Sequence, residues 1–297
     1  KCIFVSTEGE VAIYEGINPG SAADWRKVGV YQITKPLGPK AILQAGGDLL
    51  IATENGLVPI SAAIQKDIAA LEMSAVSRAI TPYWQTQITA TFGRDWEIVK
   101  WPQKNIMLVS QPDDLKKTAL VANLQTGAWS RFTGLDTQCM GFFDGSAFFG
   151  DTAGNVYRMQ SSGSDNGTPY TCAYLGQHEG LEAPGVEKTI LQVRATFTSR
   201  TPIAPLVSAK TDYDFSLSQA PASSSDDGAP GVWDVGTWDE SVWDEAGRLI
   251  TNALWSSVGR TGRTVAPEVQ LTFGVTTEPD AELVSIDATY RVGALVT

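Results

Sequence analysis

At 297 residues the chain has room for two ordinary domains, and its apolar fraction of 43% is that of a globular protein able to bury a core in each. Its formal net charge is −11 with Lys and Arg scattered, which excludes a basic stripe for neutralising a run of phosphates, and no run of about 20 apolar residues exists to cross a bilayer as a helix. Cys2, Cys139 and Cys172 are odd in number, far apart and without metal-ligand spacing, so they argue against a disulfide framework or a zinc site and read as single buried thiols in a reducing compartment.

The first element is a strand, Lys1-Cys2-Ile3-Phe4-Val5, which lacks the charged-then-apolar layout of an export signal. With no initiator Met ahead of it, the expectation is that the natural start lies upstream. The strand opens a recurring unit. Phe4 to Ile13 aligns without gaps to Ile51 to Ile60, and the longer segment Ala45 to Ile60 aligns to Phe143 to Arg158. A weaker copy runs through Val121-Ala122-Asn123-Leu124-Gln125-Thr126-Gly127-Ala128-Trp129. Each copy is an apolar run, a turn ending in glycine (Gly9, Gly56, Gly127, Gly154) and an alternating run, which predicts β-hairpins with the glycine at positive φ. Hairpins repeated in this way point to propeller-type blades or a meandering sheet over residues 1–162. Between Ser61 and Ile80 the apolar positions Ile64, Ile68, Leu71, Ala75 and Ile80 keep helical spacing without Gly or Pro until Pro82, predicting one or two inserted helices.

The polar stretch from Gln160 to Pro169 reads as a linker. Beyond it, strands are expected over 170–175, 190–199, 206–217, 268–275 and 283–292. Alternation in Leu191-Gln192-Val193-Arg194-Ala195-Thr196-Phe197 gives one buried and one wet face, so residues 163–297 are expected to form a β-sandwich. Within it, a loop at about 223–247 carries Trp233-Asp234, Trp238-Asp239 and Trp243-Asp244 at a five-residue interval that matches neither strand nor helix. These rings pack under their own loop, anchor a subunit contact or stack on sugar, and the sequence leaves all three open. Trp233, Trp238, Trp243, Ile64, Ile68 and Leu71 are therefore the candidate subunit-contact residues.

The sequence offers little that carries chemistry. His178 is the sole histidine and sits in a Gly-flanked polar turn, which argues against a Ser-His-Asp triad or a histidine metal site. Asp226 and Asp227 lack the oxygen spacing of a calcium loop. The 33 acidic residues leave paired-carboxylate glycoside hydrolysis open without pointing to it, and no nucleotide-binding glycine pattern is present. The expectation is a protein that is not an enzyme and needs no cofactor or metal.

Several phrases together resemble the tail hub or nozzle proteins of short-tailed bacteriophages. They are Gly46 to Ser61 followed directly by a helix, Asn-Leu-Gln-Thr-Gly-Ala-Trp-Ser-Arg-Phe over 123–132, the Trp-Asp loop, and the closing segments 257–263, 265–270 and 281–290. The resemblance covers most of the chain in style. It implies a homo-oligomeric ring, sixfold in such proteins, that meets other tail and portal-adaptor proteins and surrounds a channel for genome ejection. An acidic wall there lets double-stranded DNA pass without sticking. It further implies a virion tail location after assembly in the host cytoplasm, with no membrane insertion and no catalytic residues to carry over. The rival expectation is a carbohydrate-binding or glycan-hydrolysing propeller, which converges polar groups and aromatic rings in one concave site.

Overall fold

Glycine turns set the local architecture. Gly9, Gly56, Gly127 and Gly154 all have positive φ, as the hairpin pattern predicts. At Asp144-Gly145 both turn residues are positive, which is the two-residue turn whose twist matches its flanking strands. The computed structural model describes residues 1–111, 118–160, 162–199, 203–223, 250–274 and 279–293. Strand outweighs helix by 51% to 12%, so the chain is mainly β, built of several small antiparallel sheets of which none closes. It divides into two compact units, Lys1–Met159 and Gln160–Thr297.

The first unit is a succession of meanders. β1 (Cys2–Val5), β2 (Glu10–Gly16) and β3 (Trp25–Gln32) form the first sheet, and β4 (Ile42–Ala45), β5 (Asp48–Thr53) and β6 (Gly56–Pro59) the second. Helices α1 (Ile60–Gln65), α2 (Ile68–Leu71) and α3 (Thr81–Ala90) follow. β7 (Glu97–Trp101), β8 (Ile106–Gln111), β9 (Thr118–Asn123) and β10 (Trp129–Thr133) make the third sheet, and β11 (Cys139–Phe143), β12 (Ser146–Gly150) and β13 (Val156–Arg158) the fourth.

Neighbouring sheets share apolar clusters in chain order. Val11, Ile13 and Ile33 of the first sheet region meet Ile51 and Val58 of the second. Leu50, Ala52 and Leu57 of the second meet Ile98, Met107, Val109, Leu120 and Ala122 of the third. Trp101, Leu108 and Val121 of the third meet Ala147 and Met159 at the fourth. Alternate residues of β5, β8 and β9 thus enter different clusters, because successive side chains leave a strand on opposite faces. That explains the unbroken apolar runs in these strands: both faces are buried.

The helical region differs from the sequence expectation. The expected helices over 61–80 are two short pieces and 3₁₀ turns, and the ten-residue helix α3 begins where the expected insertion ends. Pro82 lies in the first turn of α3, where its missing N–H has no intrahelical partner to lose, so it opens a helix instead of stopping one. α3 delivers Trp84, fully buried beside Trp96 in the cluster between second and third sheets, with its indole N–H donating to the Thr53 carbonyl at 3.0 Å.

In the second unit β14 (Tyr170–Leu175), β15 (Lys188–Ser199), β16 (Leu206–Thr211), β17 (Ile250–Gly262), β18 (Val265–Phe273) and β19 (Ala281–Val292) form two sheets, ordered β14-β18-β16 and β17-β15-β19. Ile190, Val193, Ala195 and Phe197 of β15 share a core with Val207 and Ala209 of β16 and Val265, Val269 and Phe273 of β18. The strand expected over 206–217 ends at Thr211. Asp212 and Tyr213 take positive φ and turn the chain out of the sheet.

Candidate interaction surfaces

Of the residues singled out in the sequence, Trp233, Trp238, Trp243, Asp226 and Asp227 lie outside the described residues. Ile64 and Ile68 are 42% and 38% exposed and line the same shallow depression, with Tyr31 on its wall. Leu71 is fully buried in the cluster between the first two sheets, so it serves the core and cannot touch a second chain. Helical spacing places these three on one side of the insertion, but the break at Lys66 and Asp67 turns Leu71 inward. Asp48 secures the start of α1: its carboxylate accepts from the Ser61 hydroxyl at 2.5 Å and the Ser61 N–H at 3.2 Å, a cap that Pro59 cannot supply. Burial pushes the Asp48 carboxyl up, and these hydrogen bonds with that from the Leu49 N–H outweigh it, leaving the carboxyl below its ordinary range.

Further exposed apolar residues lie on the first and fourth sheets. On the first sheet, Ile3, Val5, Val11 and Ile13 turn toward the second sheet. The opposite face carries Phe4, 56% exposed, edge-on to Tyr14, which in turn stacks on Trp25 at 6.0 Å. On the fourth sheet, Met140, Ala147 and Phe149 turn toward the third. Its opposite face carries Phe143, 76% exposed, and Val156, 74% exposed. Cys139 also lies on that face and is exposed, as is Cys172 on β14, while Cys2 is half-buried. The expectation of buried thiols is corrected accordingly, because strand parity sends Cys139 away from the cluster that holds Met140.

Glu97 ties three sheets together. Its carboxylate pairs with Lys40 at 3.3 Å beside the second sheet and accepts the Met140 N–H of the fourth at 2.9 Å.

The second unit holds its polar residues in structural roles. Glu268 is fully buried on β18, accepts the Ser218 N–H and hydroxyl at 2.6 and 2.7 Å and the Gln270 amide at 2.7 Å, and pairs with Lys210 at 3.6 Å. This fastens the strap after Thr211 to the sheet. Burial by itself pushes the Glu268 carboxyl up; the Ser218, Gln270 and Lys210 partners more than offset it and hold the carboxyl below 4.5. His178 clamps the same strap. Its Nδ1 accepts the Tyr213 N–H at 3.3 Å, which places the proton on Nε2, facing the Asp214 carbonyl at 3.3 Å. Tyr213 and Phe215, both exposed, flank the half-buried ring, so the polar turn expected around His178 is also the point where the strap is tied down.

A cleft of about 670 Å³ in the first unit runs between β1 and the segment around Trp96, with Lys35, Glu54, Arg94 and Asp95 as its charged residues. Among the described residues no three His, Cys, Asp or Glu gather as a metal site, and no helix is long and apolar enough to cross a membrane. No protein-family model matches the sequence, and no curated protein matches it either.

Proposed function

We propose that this chain is a structural subunit of a bacteriophage tail, of the hub or nozzle type, forming part of a ring around the channel for genome ejection. On this reading the successive meanders of the first unit are propeller-type blades, and the two facing sheets of the second are a β-sandwich. One observation carries the proposal: the first unit is a series of antiparallel meanders that share apolar clusters in chain order, with Phe4 of the first sheet and Phe143 and Val156 of the fourth exposed on faces turned away from those clusters. Large apolar side chains exposed on two different sheet faces are candidate contact sites, and a head-to-tail ring needs two different surfaces. The phrases shared in style with tail proteins supply the biological setting, including the adaptor and tail neighbours, the passing DNA and the virion location.

The test is the mass and shape of the natively assembled protein, by light scattering and single-particle imaging. Rings with a central hole are expected. A monomer at every concentration that binds glycans would instead make this a carbohydrate-active propeller.

A further inference from the structure

We propose that Asn166-Gly167 is a site of spontaneous covalent modification in the folded protein, where the backbone nitrogen of Gly167 attacks the Asn166 side chain and the residue ends as Asp or isoaspartate. Such a site is independent of any ring.

Asn followed by Gly has the least obstructed path to this reaction, because Gly places no Cβ beside the attacking nitrogen. The Gly167 nitrogen gives its proton to solvent and bonds to Asn166 Cγ, the Cγ–Nδ2 bond breaks, and ammonia leaves with a proton taken from solvent. Water then opens the resulting succinimide. Cleavage at Cγ gives Asp with the main chain intact, and cleavage at the Asn166 carbonyl carbon gives isoaspartate, whose main chain is one carbon longer. Water is the co-reactant, and nothing is oxidised or reduced.

The chain holds two Asn-Gly pairs, Asn55-Gly56 and Asn166-Gly167, and the fold treats them differently. Asn55-Gly56 lies between β5 and β6. The Asn55 side-chain amide donates to the Ile68 carbonyl at 3.4 Å, and the Asn55 N–H faces the Thr34 and Thr53 hydroxyls at 3.3 Å. Gly56 is buried and pairs with Thr53 in the β5–β6 ladder. Next to it, the Leu57 N–H donates to the Ser77 hydroxyl at 2.9 Å, and the Leu57 side chain is fully buried between the second and third sheets. Bringing the Gly56 nitrogen onto Asn55 Cγ therefore disturbs a sheet and a core.

Asn166-Gly167 has no such support. Its φ values of 47° and 84° are those of the tight two-residue turn that Asn-Gly favours. The turn stands on one isolated bridge outside the strands, in which Asp165 and Thr168 exchange N–H···O bonds at 2.8 and 2.9 Å. The Gly167 N–H makes a long bond to the Ser164 hydroxyl at 3.3 Å. Both turn residues are exposed, and among the described residues nothing bonds the Asn166 side-chain amide. A hairpin of this size is marginal by itself, so it opens without unfolding either unit, and the nitrogen reaches Cγ during those openings.

The test incubates the whole folded chain in mildly alkaline buffer, digests it with trypsin and follows the replacement of NH₂ by OH by mass spectrometry. Asn55 is the one Asn of the tryptic peptide Ala41–Lys66, and Asn166 the one Asn of Met159–Lys188, so each mass gain is assigned directly. Asn166 is expected to convert more than about tenfold faster than Asn55, since each further hydrogen bond that must open slows the step about fivefold. In the urea-unfolded chain the two are expected to convert at comparable rates. Gly167→Ala, whose Cβ meets open space in the fold, is expected to slow the gain in Met159–Lys188 several-fold in the folded and the unfolded chain alike. Equal rates at the two sites in the folded chain, faster conversion at Asn55, or an Asn166 that converts only when the chain is unfolded would overturn the proposal. So would a gain that Gly167→Ala leaves unchanged, which would place the modification on Gln160 or Gln177 of the same peptide.

Discussion

Replacing Glu268 by Gln tests how the second unit holds its strap. The substitution keeps the shape of the side chain but removes the charge facing Lys210, whose side chain is only 4% exposed. It also turns an amide N–H₂ toward groups that are themselves donors, the Ser218 N–H and hydroxyl. Removing one member of a buried ion pair strands the other, which costs about 3–5 kcal/mol, so we expect a loss of about 3 kcal/mol in the second unit. Lys210→Met in the Glu268→Gln background relieves the stranded charge and is expected to return about 1–2 kcal/mol. Hydrogen exchange of β16 and β18 across a urea series is the assay, since a chain of two units need not unfold in a single transition. The pH dependence follows from the depressed carboxyl. Its contribution is present in full above 4.5, the ordinary value, and is lost as pH falls through the lower folded value. The gap between wild type and Glu268→Gln must therefore narrow in acid. A gap below about 0.5 kcal/mol at neutral pH, or one that does not change with acidification, would refute the reasoning.

Further outcomes follow from single contacts. Gly56→Ala puts a Cβ 2.6 Å from the Ser77 hydroxyl that accepts the Leu57 N–H, at a φ of 117°, and is expected to cost about 3 kcal/mol; Gly154→Ala, with open space around it, is expected to cost about 1 kcal/mol, and equal losses in thermal unfolding would count against this account. Lys188 is fully buried with its ammonium donating to the carbonyls of Ala183, Val186 and Arg263, so Lys188→Met removes a donor from each, the Ala183 carbonyl keeping only the Val186 N–H, and should lower stability by about 2 kcal/mol, read by chemical denaturation of the second unit. Glu97→Ala cuts the tie between the third and fourth sheets and should speed hydrogen exchange at Met140 by roughly tenfold without moving β1 or β2.

The hairpins were legible in the sequence because their determinants are local. Gly9, Gly56, Gly127 and Gly154 each mark a turn that only a residue tolerant of positive φ enters cheaply, and the alternation beside each sets the faces. β14 was legible for the same reason, its apolar run being bounded by turn residues. β17 was not, although it spans Ile250–Gly262 and has thirteen residues. Its polar stretch and the positive φ of Gly259 blur the period of two, and it is held by long-range pairing with β15 across a register shift at Ile190 and Gln192. Of the candidate contact residues, helical spacing put Ile64, Ile68 and Leu71 on one side and could not foresee that the first two stay exposed while Leu71 is buried, because a break between α1 and α2 decides which side faces the sheets. Composition and periodicity thus determined a mainly β chain with glycine-set hairpins. Which apolar faces meet and which stay bare was decided only by the tertiary structure, since burial is a property of pairs of sheets and no single strand encodes its neighbour.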